Sequence, residues 1–182
     1  MDTSVMEYTA EDLIAHKLLR SSILVAKPKF DQEGADLLAF LAVKDGAKFC
    51  RIQCKGRSLV HSSTAQIHVR TDWVTDAFIV FLFLETGRKD ETSLYCFTPS
   101  DIRSHWIKEP DHFSLTITPA KLKSELVPFA FSEEKVGQIK AIIRAADLAK
   151  EFEQVVHGSL SITLEPVTLR ATATVTPKPD VP

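Results

Sequence analysis

The sequence is poor in cysteine, has no excess of positive charge, and contains no apolar run long enough to cross a bilayer. Its three cysteines, Cys50, Cys54 and Cys96, are an odd number with no Cys-x-x-Cys pair. That argues against a disulfide framework and against zinc, and predicts buried, reduced thiols. Lys and Arg number 22 against 24 Asp and Glu, a formal charge of -2. A chain that coats itself in nucleic acid is usually basic, so any such binding here needs a local patch. The most apolar run, AFIVFLFL at Ala77–Leu84, falls far short of the roughly 20 residues a spanning helix needs. The first residues, MDTSVMEYTAEDL, are acidic and lack the apolar centre of a signal peptide. These absences predict a cytoplasmic protein with no membrane partner. No internal repeat is visible.

What is present is a chain of 182 residues, 45% hydrophobic, enough for one globular domain with a real core. Thr9 followed by Asp12 reads as a variant capping box opening a helix to about Ser21. SSILVAKP is a short first strand stopped by Pro28. Leu37–Val43 and Lys48–Lys55 are strands joined at Asp45-Gly46, a hairpin signal. Gln66–Arg70 alternates, and Ala77–Leu84 reads as a central strand buried on both faces. Leu94–Phe97 and Phe113–Thr118 are further strands, and Pro99 opens a short helix ending near Trp106. Ser132 caps a long helix through about Val156, with Val136, Ile139, Ile143, Ala146 and Phe152 on its stripe and Gly158 at its end. The remainder reads as extended segments and a loose tail. The fold class is α/β or α+β, a mixed central sheet flanked by helices.

The hairpin carries polar residues where a buried strand should have none: Asp36, Gln53 and Lys55. With Asp45-Gly46 as the loop, Lys44 pairs with Ala47, Asp36 lies opposite Lys55, and Leu38 opposite Gln53. All three polar groups then share one face. An ordinary ion pair at a strand end accounts for Asp36 and Lys55, and such pairs contribute little. The first helix adds weight to a site. Glu11, Ile14, Ala15 and Leu18 fall on one face, so Glu11 sits on the stripe that packs on the sheet. A buried carboxylate needs a partner. Glu11 also suits a helix start, where the macrodipole favours acids. Two carboxylates, an amide oxygen and a lysine in one place suit a hard divalent cation such as magnesium.

The order is a helix glutamate (Glu11), Pro28 to Asp36 as P-x7-D, a hairpin, and Gln53-Cys54-Lys55 as Q-x-K. This resembles the PD-(D/E)XK, or restriction-endonuclease-like, nuclease superfamily over about Thr9 to Trp106. It is most similar to the Holliday-junction-resolvase-like and small uncharacterised bacterial branches, where the second acid is often Gln. The resemblance implies a restriction-endonuclease-like core and a metal-dependent endonuclease that hydrolyses phosphodiester bonds, with DNA ahead of RNA. It implies Mg2+ or Mn2+ held by Asp36, Gln53 and Glu11, with Lys55 positioning or activating the attacking water. Gln53 in place of a carboxylate removes one negative charge and should lower metal affinity. The alternatives are a weak or inactive nuclease-like module that binds nucleic acid or a protein, and a structural α/β protein with a buried ion network. Arg51, Arg57, Lys48 and Arg70 are candidates to grip phosphates, although a solvated charged face is the usual reason for such residues. His61 lies in the loop after Q-x-K, where a surface position is its ordinary reading; His68, His105 and Trp106 suit packing or a cleft rim. Residues 1–110 form the expected nuclease core, 111–157 a strand and long helix on it, and 158–182 an extended segment and tail. A homodimer is implied by resemblance alone.

Overall fold

The run Phe78–Leu84 has no polar face to offer water, and in the computed structural model it is fully enclosed. Strand β5 (Phe78–Glu85) lies parallel to β3 (Gly46–Ser58) on one side and antiparallel to β6 (Thr92–Phe97) on the other. With β1 (Leu24–Ala26) and β2 (Leu37–Val43) the sheet has five strands in the order β1-β2-β3-β5-β6. The structure describes residues 3–28, 34–86 and 92–156.

Each face of this sheet has its own core. On one, Ile79, Phe81, Cys50, Ile52 and Cys54 meet Ala10, Ile14 and Leu18 of α1 (Thr3–Arg20) and Val136, Ile139 and Ile143 of α4 (Glu133–Ala145). On the other, Phe78, Val80, Leu82 and Leu84 meet Ile67 and Val69 of β4 (Ala65–Arg70) and Phe113, Leu115 and Ile117 of β8 (His112–Ile117). β4 and β8 form a second sheet with β7 (Ile107–Lys108), in the order β4-β8-β7. Ile102 of α2 (Pro99–His105), Trp106 and Phe129 close that core. α2 starts with a full capping box, Thr98 with Asp101, and the short α3 (Pro119–Lys123) follows β8. The fold is mixed α/β with a mixed central sheet and helices packed on it, as expected.

Four expectations need correction. First, α1 begins at Thr3, so Thr9 and Asp12 lie inside the helix and do not cap it. Second, the hairpin turns across Lys44-Asp45, with Val43 paired to Gly46. Gly46 takes the positive φ of 132° and opens β3. Leu38 therefore pairs with Arg51, not Gln53. The register moves by two residues, so every side chain keeps its face.

Third, the long helix is two. Ala146 leaves α4 in extended backbone, φ -56° and ψ 134°. The Lys48 ammonium donates to the carbonyls of Arg144 (2.9 Å) and Ala146 (3.0 Å). Asp147 then accepts the Ala149 amide at 3.1 Å and starts α5 (Leu148–Val156). Fourth, Phe152 is 61% exposed and does not continue the buried stripe. Gly158 and the extended segments after it lie outside the described residues.

A notch at the open edge of strand β3

β3 has two neighbours that overlap only briefly. β2 pairs with it from Gly46 to Ile52, and β5 pairs with it from Arg51 to Ser58. From Gln53 onward, the edge that faced β2 has lost that partner. Asp36, the residue before β2, sits at this step. Its amide donates to the Ile52 carbonyl at 2.9 Å. Its Oδ2 accepts the Cys54 amide at 2.5 Å, a ladder bond that the departing strand can no longer make.

Charged groups gather around Cys54 from three directions. Cys54 points to the α1 face, so alternation sends Gln53 and Lys55 to the other face. Glu11 comes from α1, with its side chain only 15% exposed. Its Oε2 lies against the Lys27 ammonium as an ion pair. The Cys54 thiol registers the whole cluster. Burial pushes it well above its ordinary value, Asp36 and Glu11 push it further, and Lys27 and Lys55 pull it back. The hydrogen bond that Lys27 donates to Glu11, with the carboxylate's charge, holds the ammonium above its usual range.

Gln53 is 4% exposed, and its Oε1 is a buried acceptor with no hydrogen-bond partner among the described residues. Lys55 is half-buried and makes no hydrogen bond or ion pair among them. Beneath the step, Gly34 adopts φ +67°, and a Cβ there would fall 2.2 Å from Cε3 of Trp73. The indole thus packs directly on the backbone that leads to Asp36.

The residues expected to grip phosphate are mostly engaged elsewhere. Arg51 is 0% exposed. It pairs with Glu151 of α5 at 3.0 Å, donates to the Trp73 carbonyl (2.9 Å) and the Thr75 hydroxyl (3.2 Å), and lies over Phe78. It is a buried structural cation and is corrected as a phosphate contact. Lys48 is committed to the end of α4. Arg57 donates to the carbonyls of Gln66 and Gly56. Arg70 is exposed, chelates Asp72 and lies over the Trp73 ring. His61 is exposed in its loop, His68 stacks edge-on against His112, and His105 against Phe129. Trp106 is core, 5% exposed.

Lys27 is the member of the cluster that the sequence did not reveal. It follows β1 directly, and a lysine before a proline carries no signal of its partner. With it, two carboxylates, Glu11 and Asp36, and two ammonium groups, Lys27 and Lys55, lie around Cys54 among the described residues. The oxygens near the step are the Asp36 carboxylate and, on the face away from α1, the Gln53 amide; Glu11 lies on the α1 side, paired with Lys27. These are hard oxygens of the kind magnesium takes. The orphaned Gln53 Oε1 fits such a role. No three His, Cys, Asp or Glu side chains gather into a ligand cluster among the described residues.

No protein-family model and no curated protein matches the chain. Among solved structures, it is similar to a bacterial homing endonuclease, I-Ssp6803I, at 13% identity and a TM-score of 0.52, over 80% of this chain and 100% of that one. It is also similar to Hjc, a Holliday junction resolvase from the archaeal hyperthermophile Archaeoglobus fulgidus. That match has 13% identity and a TM-score of 0.43, over 72% of this chain and 95% of the other. The likeness to the homing endonuclease is one of fold, and it agrees with the restriction-endonuclease-like core expected from the sequence. Among the described residues no helix is long and apolar enough to cross a membrane.

Proposed function

We propose that the notch at Asp36, Gln53 and Lys55 is the active site of a metal-dependent endonuclease that hydrolyses phosphodiester bonds, DNA ahead of RNA. The observation that carries this reading is the buried, unpartnered Gln53 Oε1 beside the step where Asp36 caps β3. A buried polar oxygen without a donor is unfavourable, and a cation shared with Asp36 removes the penalty. Magnesium or manganese bound there would offset phosphate charge and lower the pKa of a bound water. Asp36 and Gln53 would hold the ion, with Glu11 next in reach. Lys55 supplies no metal ligand, because a protonated amine has no lone pair to donate. Its part is to bring positive charge to the phosphate and to orient the attacking water. Arg57 and Arg70 remain as phosphate contacts in this reading.

A purely structural ion network would give Lys55 a carboxylate partner. Lys55 has none among the described residues. A module that binds nucleic acid without cutting is favoured by the near-neutral charge of the chain and by Gln53 in place of a carboxylate, and the assay separates the two. Single-stranded, duplex and branched DNA, together with RNA, are incubated with the protein in Mg2+ and in Mn2+, beside a Lys55→Ala control. The expected result is metal-dependent cleavage by the parent and none by Lys55→Ala, with equal melting temperatures. Binding without cleavage would leave the module reading. Equal cleavage by both proteins would place any activity elsewhere.

A further inference from the structure

A second lysine, half-exposed, stands beside the enclosed carboxylate of Glu11. The Lys27 ammonium pairs with Glu11 and lies 3.9 Å from the centre of the Tyr8 ring. The Lys27 side chain is 44% exposed and Tyr8 is 64% exposed. Glu11, by contrast, is 15% exposed on the inner side of α1, between the buried Ala10 and the sheet-facing stripe. The two ends of this pair therefore differ in freedom. Lys27 can leave into water without opening the core. Glu11 cannot leave, and a carboxylate so enclosed needs a cation beside it.

We infer that Lys27 is the resident counter-ion of Glu11 and competes with a divalent cation for that carboxylate. Metal affinity at the notch is then set by a displaceable ammonium as well as by the Gln53 amide. This rests on the metal-dependent reading given above. Without metal, Lys27 keeps the carboxylates from destabilising one another across the step at Cys54. When a dication arrives, it takes over Glu11, and the ammonium moves outward past Tyr8.

The test is Mn2+ binding, read from the loss of the free-ion paramagnetic resonance signal, with thermal melts confirming that each protein is folded. The proteins are the parent, Lys27→Met, Lys27→Arg, Lys27→Met with Glu11→Gln, and Gln53→Glu. Removing the competitor should tighten Mn2+ binding about three- to fivefold in Lys27→Met, the scale of one half-exposed ion pair. Lys27→Arg, which keeps the cation, should stay close to the parent. Adding Glu11→Gln should remove the gain. Lys27→Gln, which keeps a polar group at the half-exposed position, should shift affinity in the same direction and serves if the Met variant folds poorly. If Gln53→Glu tightens binding while both neutral Lys27 variants match the parent, Lys27 does not compete and the inference is overturned. If no protein binds Mn2+, Gln53→Glu included, the metal-dependent reading falls and this inference with it.

Discussion

Within the notch, the identity of single atoms decides what can bind. Asp36 spends one carboxylate oxygen on the Cys54 amide, and Gln53 offers a neutral oxygen where a carboxylate would give a charge. Gln53→Glu should therefore tighten divalent-ion binding, and Asp36→Asn should weaken it, because each changes the charge facing the ion by one. Calorimetric titration of Mn2+ into the two variants checks the order; equal or reversed effects would mean that the cluster holds no metal. Glu11, Asp36, Gln53 and Lys55 were legible as polar exceptions in apolar periodic runs. Lys27 was not, because its partner is set by where β1 ends relative to α1. Arg51 misled for a related reason. A charged residue two positions before Gln53 reads as an exposed grip until α5 brings Glu151 onto it.

At the level of elements, two pairs of contacts hold the notch in shape. Arg51 ties β3 to α5 through Glu151, both groups being buried. Glu151→Ala would strand a buried guanidinium and should cost about 3–5 kcal/mol, measured by urea unfolding, whereas Arg51→Met with Glu151→Leu should recover most of the loss. Trp73 supports the approach to Asp36 through Gly34. Gly34→Ala combines a positive φ with a Cβ 2.2 Å from the indole, so the ring or the backbone must shift. A loss of about 1–3 kcal/mol, with changed tryptophan fluorescence, is the expected outcome; an unaltered melt and spectrum would show that the contact constrains nothing. Strand identities were legible here because alternation and continuous apolar runs report burial directly. The helix break at Ala146 was not, since Ala146 and Asp147 suit a helix locally. The break follows from Lys48 on the α4 carbonyls and from the pull of Glu151 toward Arg51.

For the whole molecule, the five-stranded sheet with α1 and α4 on one face and a second sheet on the other follows from an apolar β5 that no single layer could cover. That much was legible as a mixed sheet with helices; the three-stranded second sheet was not, because β7 is only two residues long and its pairing with β8 is non-local. The same arrangement creates the notch, since β3 outruns β2 on one edge while β5 pairs with it on the other. The proposed chemistry requires a cation held there. Anomalous diffraction from crystals soaked in Mn2+ tests it most directly. The predicted result is a peak at coordination distance, roughly 2.0–2.3 Å, from both an Asp36 carboxylate oxygen and Gln53 Oε1. No peak in the notch, with Gln53 Oε1 accepting a hydrogen bond from a protein donor instead, would contradict it.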